Sequence, residues 1–297
     1  MDRKEFGKLI AALRQDMEWT QFNLAEYAGI DLAVISQIER GAKKHFEPGL
    51  LVKLANIFHL TTLERREFFF AATGVSAEQV VRQPSAALAT DTQDADKTLT
   101  KMTRLVEQLR VPAFLLDVYS DVLAVNVMAA AFFQIPASMF ETAESTPGGY
   151  NAMRVMFSKE LTTRSRITEN WDEYAVRTMR FFREVSLRYR AKPYFQYLVK
   201  AFRNPAEYPL FDRYWKLVSS VEQDREANVD LFSYSHADFG RLNYATATTV
   251  SLTLYGELLL NQYLPIDDHT SRIFEQLSAQ CGQGVLRLAP WPNKPMS

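Results

Sequence analysis

Few side chains in this sequence are placed for catalysis or metal binding. The 297 residues contain four histidines and one cysteine, Cys281, and none of these five has a partner at the spacing of a metal or nucleophile motif. Phosphate-binding Gly-x-x-x-x-Gly-Lys loops and dinucleotide-binding Gly-x-Gly-x-x-Gly loops are also missing. We therefore expect no metal, no cofactor and no enzymatic activity. An enzyme joined to another module is an alternative, and it would depend on His236 or His269, which stand near acidic residues.

Side chains suited to binding concentrate in the stretch TQFNLAEYAGIDLAVISQIERG, residues 20–41. Thr20 can cap one helix and Asp31 can cap the next, because both side chains accept hydrogen bonds from free backbone amides. Gly29 between them can adopt the left-handed conformation that a tight turn needs. The stretch therefore predicts a helix, a short turn and a second helix.

The second helix has a packing face and an outward face. Ile35 and Ile38 lie at helical spacing and hold it to a core, which leaves the other face for recognition. The outward residues are Leu32, Ala33, Ser36 and Gln37. A helix divided in this way fits the major groove of double-stranded DNA, where the amide of Gln37 can pair with adenine. The basic residues that follow it, and that can contact backbone phosphates, are Arg40, Lys43 and Lys44.

This stretch resembles the helix-turn-helix of Cro/C1-type (XRE) regulators. The family's Thr-Gln, Leu-Ala, Gly and Ile-Ser-x-Ile-Glu-x-Gly follow one another in a single register. The resemblance implies that Gln21, at the outward-facing start of its helix, contacts phosphate and neighbouring bases. It also implies base-reading positions at Leu32, Ala33 and Gln37 and a phosphate contact at Ser36. From charge alone, we expect Glu39 to pair with Arg14.

The elements around this motif indicate two domains. Apolar side chains at helical spacing predict an all-α domain of five helices over residues 1–74, followed by a linker of small and acidic residues over 75–95. An α+β domain is expected over 96–285, and a loose proline-rich tail over 286–297. No run of apolar residues is long enough to span a bilayer, so we expect a cytoplasmic protein without membrane contact. Basic and acidic side chains balance in the helical domain, which favours a homodimer for binding an operator.

Strand patterns stand at both ends of the second domain. Alternation in PAFLLD and DVLAVN predicts a hairpin from Pro112, with a helix capped by Asn126 after it. Strand character returns in GRLNYATATTVSLTL and GELLLNQYLP, and the segment between is helical and rich in aromatic residues. These patterns predict a sheet closed by distant segments of the chain.

This second domain resembles the ligand-binding domain of MmyB-like regulators, which has a PAS-like fold. The segments that carry the resemblance begin with VPAFLLDVYSDVLAVNVMAAAFF and end with LLLNQYLP, in the family's order. One departure is Val125, which stands where the family usually has tryptophan. The resemblance implies a cavity for a small apolar ligand, and a fatty acid is the kind of ligand associated with the fold.

We expect the wall of such a cavity on one face of the hairpin and on the helix opposite. The hairpin residues are Phe114, Leu116, Leu123 and Val125, and the opposite wall would come from Phe157, Phe181 and Phe182. Arg180 is one of several arginines on the central helix that could bind a carboxylate headgroup. We expect His236 to fix a loop as a hydrogen-bond donor. Alternatively, the apolar residues fill a closed core and the domain is a ligand-free module for protein interaction or dimerisation.

Overall fold

The computed structural model describes residues 1–74, 92–160, 171–220 and 231–294. The chain divides into two compact units, and each unit draws on separate segments of the sequence. Unit 1 comprises Met1–Leu88, Met179–Tyr197 and Trp215–Gln223. Unit 2 comprises Ala89–Thr178, Leu198–Tyr214 and Asp224–Ser297. Two segments from the C-terminal half of the chain therefore belong to the same unit as the N-terminal helices.

The five helices predicted for the N-terminal region are confirmed. They are α1 Arg3–Asp16, α2 Gln21–Ala28, α3 Leu32–Glu39, α4 Pro48–Ile57 and α5 Thr62–Ala72. Reciprocal capping boxes begin three of them, with Asp2, Thr20 and Thr61 as the N-cap residues. Each box satisfies backbone amides that the first helical turn leaves free, so local sequence determines where these helices start.

The core of unit 1 forms where α1, α3 and α5 meet. Phe6 of α1 lies against Phe68 of α5, with ring centroids 5.2 Å apart. Gly7 allows α1 to approach α3 closely, because a Cβ atom there would lie 2.3 Å from the carbonyl oxygen of Ile38. Leu187, in a 3-10 turn that spans Leu187–Tyr189, joins the same core. Part of this core is therefore supplied by the C-terminal half of the chain.

Unit 2 contains the antiparallel sheet expected for an α+β domain. Its strands are β1 Ala113–Asp117, β2 Val122–Asn126, β3 Leu231–His236, β4 Gly240–Thr253, β5 Gly256–Pro265 and β6 Val285–Arg287. The strand order is β3-β4-β5-β1-β2-β6, so β1 and β5 pair at the centre although they are far apart in sequence. Closure of the sheet by distant segments is confirmed.

The region predicted as a loose tail is structured in part. Strand β6 pairs with β2, and Lys294 contacts Asp117 and Asp121 on the turn of the β1–β2 hairpin. This corrects the expectation. A three-residue strand is too short to show alternation, and its partner strand is more than 150 residues away in the sequence, so nothing local indicates it.

Eight further helices lie within the described residues. They are α6 Thr92–Gln108, α7 Val127–Phe132, α8 Ala137–Glu141, α9 Ala152–Phe157, α10 Trp171–Ser186, α11 Pro193–Phe202, α12 Phe211–Ser220 and α13 Asp268–Cys281. Helix α6 begins inside the segment predicted as a linker, and residues 75–91 of that segment lie outside the described residues. Asn126 caps α7 as predicted, since its side chain accepts a hydrogen bond from the amide of Ala129. Helix α10 contributes residues to both units.

Candidate functional site

Helix α3 presents the two faces that its sequence predicts. Ile35 and Ile38 are buried in the core of unit 1. Leu32 is 44% exposed, which is unusual for a large apolar side chain. The rest of the outward face consists of Ala33 and Gln37, which are exposed, and Ser36, which is half-buried. This face has the mixed polar and apolar character of a helix that reads base edges.

The turn before α3 has the predicted geometry. Gly29 adopts the left-handed conformation, with a φ angle of 56°. The Asp31 side chain accepts a 2.7 Å hydrogen bond from the amide of Ala33. Both features therefore fix the backbone of the turn between α2 and α3 locally.

Glu39 links the end of α3 to two other helices. The guanidinium of Arg14 donates to both of its carboxylate oxygens, over 2.7 and 3.0 Å, so the predicted ion pair is present. The amide nitrogen of Gln21 donates to the same carboxylate over 2.8 Å. This corrects the expectation that Gln21 points outward, because its amide nitrogen is held by an acidic partner and the side chain is half-buried. Glu39 therefore positions the residue that begins α2.

The basic residues after α3 lie on a turn with defined geometry. The amides of Gly41 and Ala42 donate to carbonyl oxygens near the end of α3, over 2.9 and 2.8 Å. Arg40 is exposed and its Nε donates to the carbonyl of Ser36 over 3.2 Å. Lys44 is exposed and Lys43 is half-buried. The turn thus places basic groups beside the outward face of α3, where they can contact phosphates.

Two exposed aromatic side chains on α2 were not predicted. Phe22 is 63% exposed and follows Gln21 directly, and Tyr27 is 59% exposed with its ring 4.7 Å from that of Trp19. Their sequence positions give no signal of exposure, because aromatic residues at helical spacing are usually buried.

In unit 2, the predicted wall on the hairpin is divided between two faces of the sheet. Phe114 pairs with Val125, and the register then shifts between Leu115 and Leu116. Leu123 belongs with Leu115 to the apolar cluster on the opposite face from Phe114. The expectation that all four residues share one face is therefore wrong, because the bulge interrupts strict alternation.

The Phe114 face carries a layer of aromatic rings. We call it the aromatic layer; it comprises Phe114, Phe132, Phe133, Tyr234, Tyr244, Tyr263 and Phe274. Neighbouring centroids lie between 4.6 and 5.9 Å apart in most pairs, the spacing of edge-to-face contacts. The layer is closely packed, which favours a filled core at these positions.

Tyrosine hydroxyls are the polar groups of this layer. Tyr234 donates to the carbonyl oxygen of Phe133 over 3.1 Å. The hydroxyl of Tyr244 is buried close to that of Tyr174, without a hydrogen bond of ordinary geometry to any described residue. Burial raises the pKa of Tyr244 well above its usual range and that of Tyr174 to about 12. Both phenols are therefore neutral and able to donate to a hydrogen-bond acceptor.

The predicted opposite wall does not assemble with Phe114. The ring of Phe157 contacts Trp171, Phe211 and Tyr214 within unit 2. Phe182 packs on Phe195 in unit 1, at 5.7 Å between centroids. The half-buried residues Arg180 and Phe181 also belong to unit 1. The aromatic pattern along α10 is continuous, but the helix passes into unit 1 after Thr178, and this change leaves no mark in the sequence.

A cavity of about 520 Å³ opens in unit 2 beside the aromatic layer. Phe274 contributes to both the cavity and the layer. The other lining residues include Leu109, Arg110, Val111 and Pro265, together with polar side chains of α13. Its volume lies within the range of small-molecule sites. Arg110 is exposed and supplies a cationic group that was not predicted from the sequence.

His236 forms a hydrogen bond within its loop, but in the direction opposite to the predicted one. The amide of Asp238 donates to Nδ1 of His236 over 3.1 Å, so the imidazole accepts this hydrogen bond. Its ring also lies 4.7 Å from that of Phe239. The expectation of a loop-fixing residue is met by the geometry, but the imidazole acts there as an acceptor.

Comparison with known families agrees with both halves of this architecture. A helix-turn-helix family matches residues 10–64. The family described as MmyB-like transcription regulator ligand binding domain matches residues 100–277, more than half of the chain. This chain belongs to the MmyB-like transcription regulators. No curated protein matches it.

The regulator therefore combines a DNA-binding helix-turn-helix with a ligand-binding C-terminal domain. Over the four described ranges, none of its helices is both long and apolar enough to cross a membrane. The family match to the ligand-binding domain includes residues 179–197, yet these residues belong to unit 1. The family boundary in sequence and the structural boundary thus differ.

Proposed function

We propose that this regulator is a cytoplasmic homodimer that binds an operator through α3 and changes its DNA affinity when a fatty-acid-like ligand binds unit 2. The outward face of α3 is the observation that carries this proposal. In a dimer, two copies of α3 would meet half-sites about one helical turn, ~34 Å, apart. Phosphate contacts from Arg40, Lys43 and Lys44 would add affinity that falls with salt.

Specific recognition by α3 would rest mainly on Gln37. Its exposed amide can donate to and accept from adenine, whereas Leu32 and Ala33 can contact thymine methyl groups. Gln21, at the start of α2 and hydrogen-bonded to Glu39, would approach the phosphate backbone of the DNA. We therefore expect modest sequence specificity, with a large share of the binding affinity coming from phosphate contacts.

The ligand proposal rests on the cavity beside the aromatic layer. Its apolar residues suit an acyl chain, and the guanidinium of Arg110 suits a carboxylate at the entrance. The neutral hydroxyl of Tyr244 offers a second polar contact should the rings of the layer separate. We further propose that unit 2 is PAS-like, with the central pairing of β1 and β5 as support.

A duplex selection from random DNA at low salt tests the DNA-binding role. We expect enrichment of sites with two related half-sites, and Gln37→Ala should relax the preference at one base pair of each. Gln108→Ala, which changes an exposed glutamine of α6, should leave the preference unchanged. Absence of any enriched sequence would contradict the proposal.

Titration of the full chain with tetradecanoate tests the ligand class. Arg110→Gln should weaken binding about tenfold through loss of a charge-assisted hydrogen bond, roughly 1.4 kcal/mol. Arg104→Gln is the matched control, because Arg104 is exposed on α6 and does not line the cavity.

A ligand-free interaction module is the second candidate, and the close packing of the aromatic layer favours it. Mass spectrometry of the gently denatured protein distinguishes the two. A co-purifying lipid supports the sensor. No lipid together with no tetradecanoate binding supports the module.

A further inference from the structure

A buried group of three charges lies in unit 1. The guanidinium of Arg183 lies 3.3 and 3.4 Å from the two carboxylate oxygens of Glu64, and Arg190 also contacts this carboxylate. All three side chains are at most 2% exposed. Burial by itself would raise the pKa of Glu64, but the two guanidinium groups and the amide of Thr61 hold it below the usual value. Glu64 is therefore a carboxylate that depends on residues far away in the sequence.

Trp215 completes this group from a third segment of the chain. Its ring lies beneath both guanidinium groups, with the Cζ atoms of Arg183 and Arg190 at 5.3 and 5.4 Å from the centroid. Nη1 of Arg183 also donates to the carbonyl oxygen of Trp215 over 3.4 Å. Both arginines therefore make cation–π contacts with the same ring.

Further contacts follow the same seam between α5 or α1 and residues 183–192. The pairs are Thr61 with Glu184 at 2.9 Å, Glu67 with Arg188, Asp16 with Arg190 at 3.7 Å, and Glu5 with Lys192 at 3.8 Å. Apart from Thr61, the N-terminal partners are acidic, and apart from Glu184 the C-terminal partners are basic. Leu187 packs into the apolar core between them. These contacts hold α5 and α1 against residues 183–192 along one continuous seam.

Contacts within unit 1 lead from this seam to α3. Phe68 of α5 lies against Phe6 of α1, and α1 touches α3 at Gly7. The ion pair between Arg14 and Glu39 joins the same two helices. Displacement of α5 would therefore reach the recognition helix through packed side chains.

Buried ion groups of this kind add little to stability compared with apolar packing, although removal of one partner is strongly destabilising. Their consequence is dependence of one element on another. Here α5 depends on Arg183, which lies in α10, and on Arg190, which follows it. The first half of α10 is built into unit 2, where Tyr174 and Ala175 are buried and the ring of Tyr174 lies 4.8 Å from that of Phe232.

We propose that Arg183 and Arg190 are positioning residues for DNA binding: through Glu64 they fix α5 and the helix-turn-helix, so that the state of α10 in unit 2 controls duplex affinity. This proposal rests on the proposed DNA-binding function. It assigns to residues inside the matched ligand-binding region a role in the unit that reads DNA. A ligand in unit 2 would act by shifting the population of α10 positions.

The first test measures amide hydrogen exchange and duplex affinity of the full chain. In Arg183→Leu, the amides of α3 and α5 should exchange at least tenfold faster, those of β1 and β5 should not change, and duplex affinity should fall at least tenfold. Arg183→Lys keeps the charge but not the planar fork, so we expect a loss of about threefold. Arg66→Leu is the control, because it removes the same charge from an exposed position of α5.

Each outcome of this test decides the proposal. Unchanged exchange in α3 and unchanged duplex affinity in Arg183→Leu would overturn it. Equal acceleration in α3 and in the sheet would also overturn it, because a general loss of stability would then explain the effect. Should Arg183→Leu not fold, the same readouts on Arg183→Lys decide, with no change in α5 as the contradicting result.

The second test asks whether α10 transmits a change from unit 2. Tyr174→Ala removes a ring that packs the first half of α10, and Leu260→Ala truncates a buried side chain on the other face of the sheet. We expect faster exchange in α5 with Tyr174→Ala and less than a twofold change with Leu260→Ala. Equal effects would overturn the proposal. Because this readout needs no DNA, it is decided separately from the duplex selection, whose failure would count against the proposed function itself.

Discussion

Each unit of this regulator contains a buried ion group, and the two groups have opposite compositions. In unit 1, two arginines share the single carboxylate of Glu64. In unit 2, a single amine, that of Lys294, is shared by Asp117 and Asp121 on a hairpin turn. Excess positive charge keeps a carboxylate ionised, whereas excess negative charge favours its protonation.

The pKa shifts follow this difference. The pKa of Glu64 is lowered, because its two guanidinium partners outweigh burial. Burial raises the pKa of Asp117 to about 6, despite the opposing effect of Lys294. Near neutral pH the carboxylate of Glu64 therefore stays ionised, whereas Asp117 begins to take up a proton as the pH falls towards 6. The ion group that holds α5 in unit 1 therefore keeps its charges as the pH changes over this range. The charge of the ion group in unit 2 depends on pH.

Removal of the central charge of each ion group should give the largest difference in stability between the two units. Glu64→Ala removes the carboxylate that two buried guanidinium groups share, and we expect a loss of about 3–5 kcal/mol in the free energy of unfolding. Lys294→Ala should cost less, about 1–2 kcal/mol, because Asp117 can take up a proton. Urea unfolding of the full chain measures the loss in each variant. Amide hydrogen exchange then shows which unit is destabilised. Equal losses would refute the contrast.

The pH dependence of stability should have opposite signs in the two units. The pKa of Asp117 is higher in the folded chain than its ordinary value of 3.8, so unit 2 gains stability as the pH falls from about 6 towards 4. The gain is about 1–3 kcal/mol, and Asp117→Asn should abolish it. The pKa of Glu64 is lowered from 4.5, so the stability that it contributes is present above this value and lost as the pH falls further. Amide exchange rates from pH 7 down to about 3, corrected for the intrinsic pH dependence of exchange, would show both slopes. Parallel slopes in the two units would contradict the prediction.

Exposed residues of unit 1 should give the smallest effects on stability. Gln37→Ala should change the free energy of unfolding by less than about 0.5 kcal/mol and reduce base discrimination by roughly 1–3 kcal/mol. Lys44→Ala should weaken binding to every duplex alike and lower the salt dependence by about one phosphate contact. Anisotropy titrations at several salt concentrations distinguish these results. A sequence-specific effect of Lys44→Ala would contradict the division into base and phosphate contacts.

Local sequence determined the parts of this regulator whose geometry depends on neighbouring residues. Thr20, Gly29 and Asp31 specify the turn and caps of the helix-turn-helix, and the spacing of Ile35 and Ile38 specifies which face of α3 is outward. The same applies to the strands of unit 2 that show alternation.

Only the tertiary structure decided the contacts that join distant segments. In it, the amide nitrogen of Gln21 donates to Glu39, Phe182 packs in unit 1, and Lys294 pairs with Asp121 at the hairpin turn. It also gave Glu64 its partners more than 100 residues away. Helical and strand periodicity states which side of an element is buried, but it carries no information about which distant element covers that side.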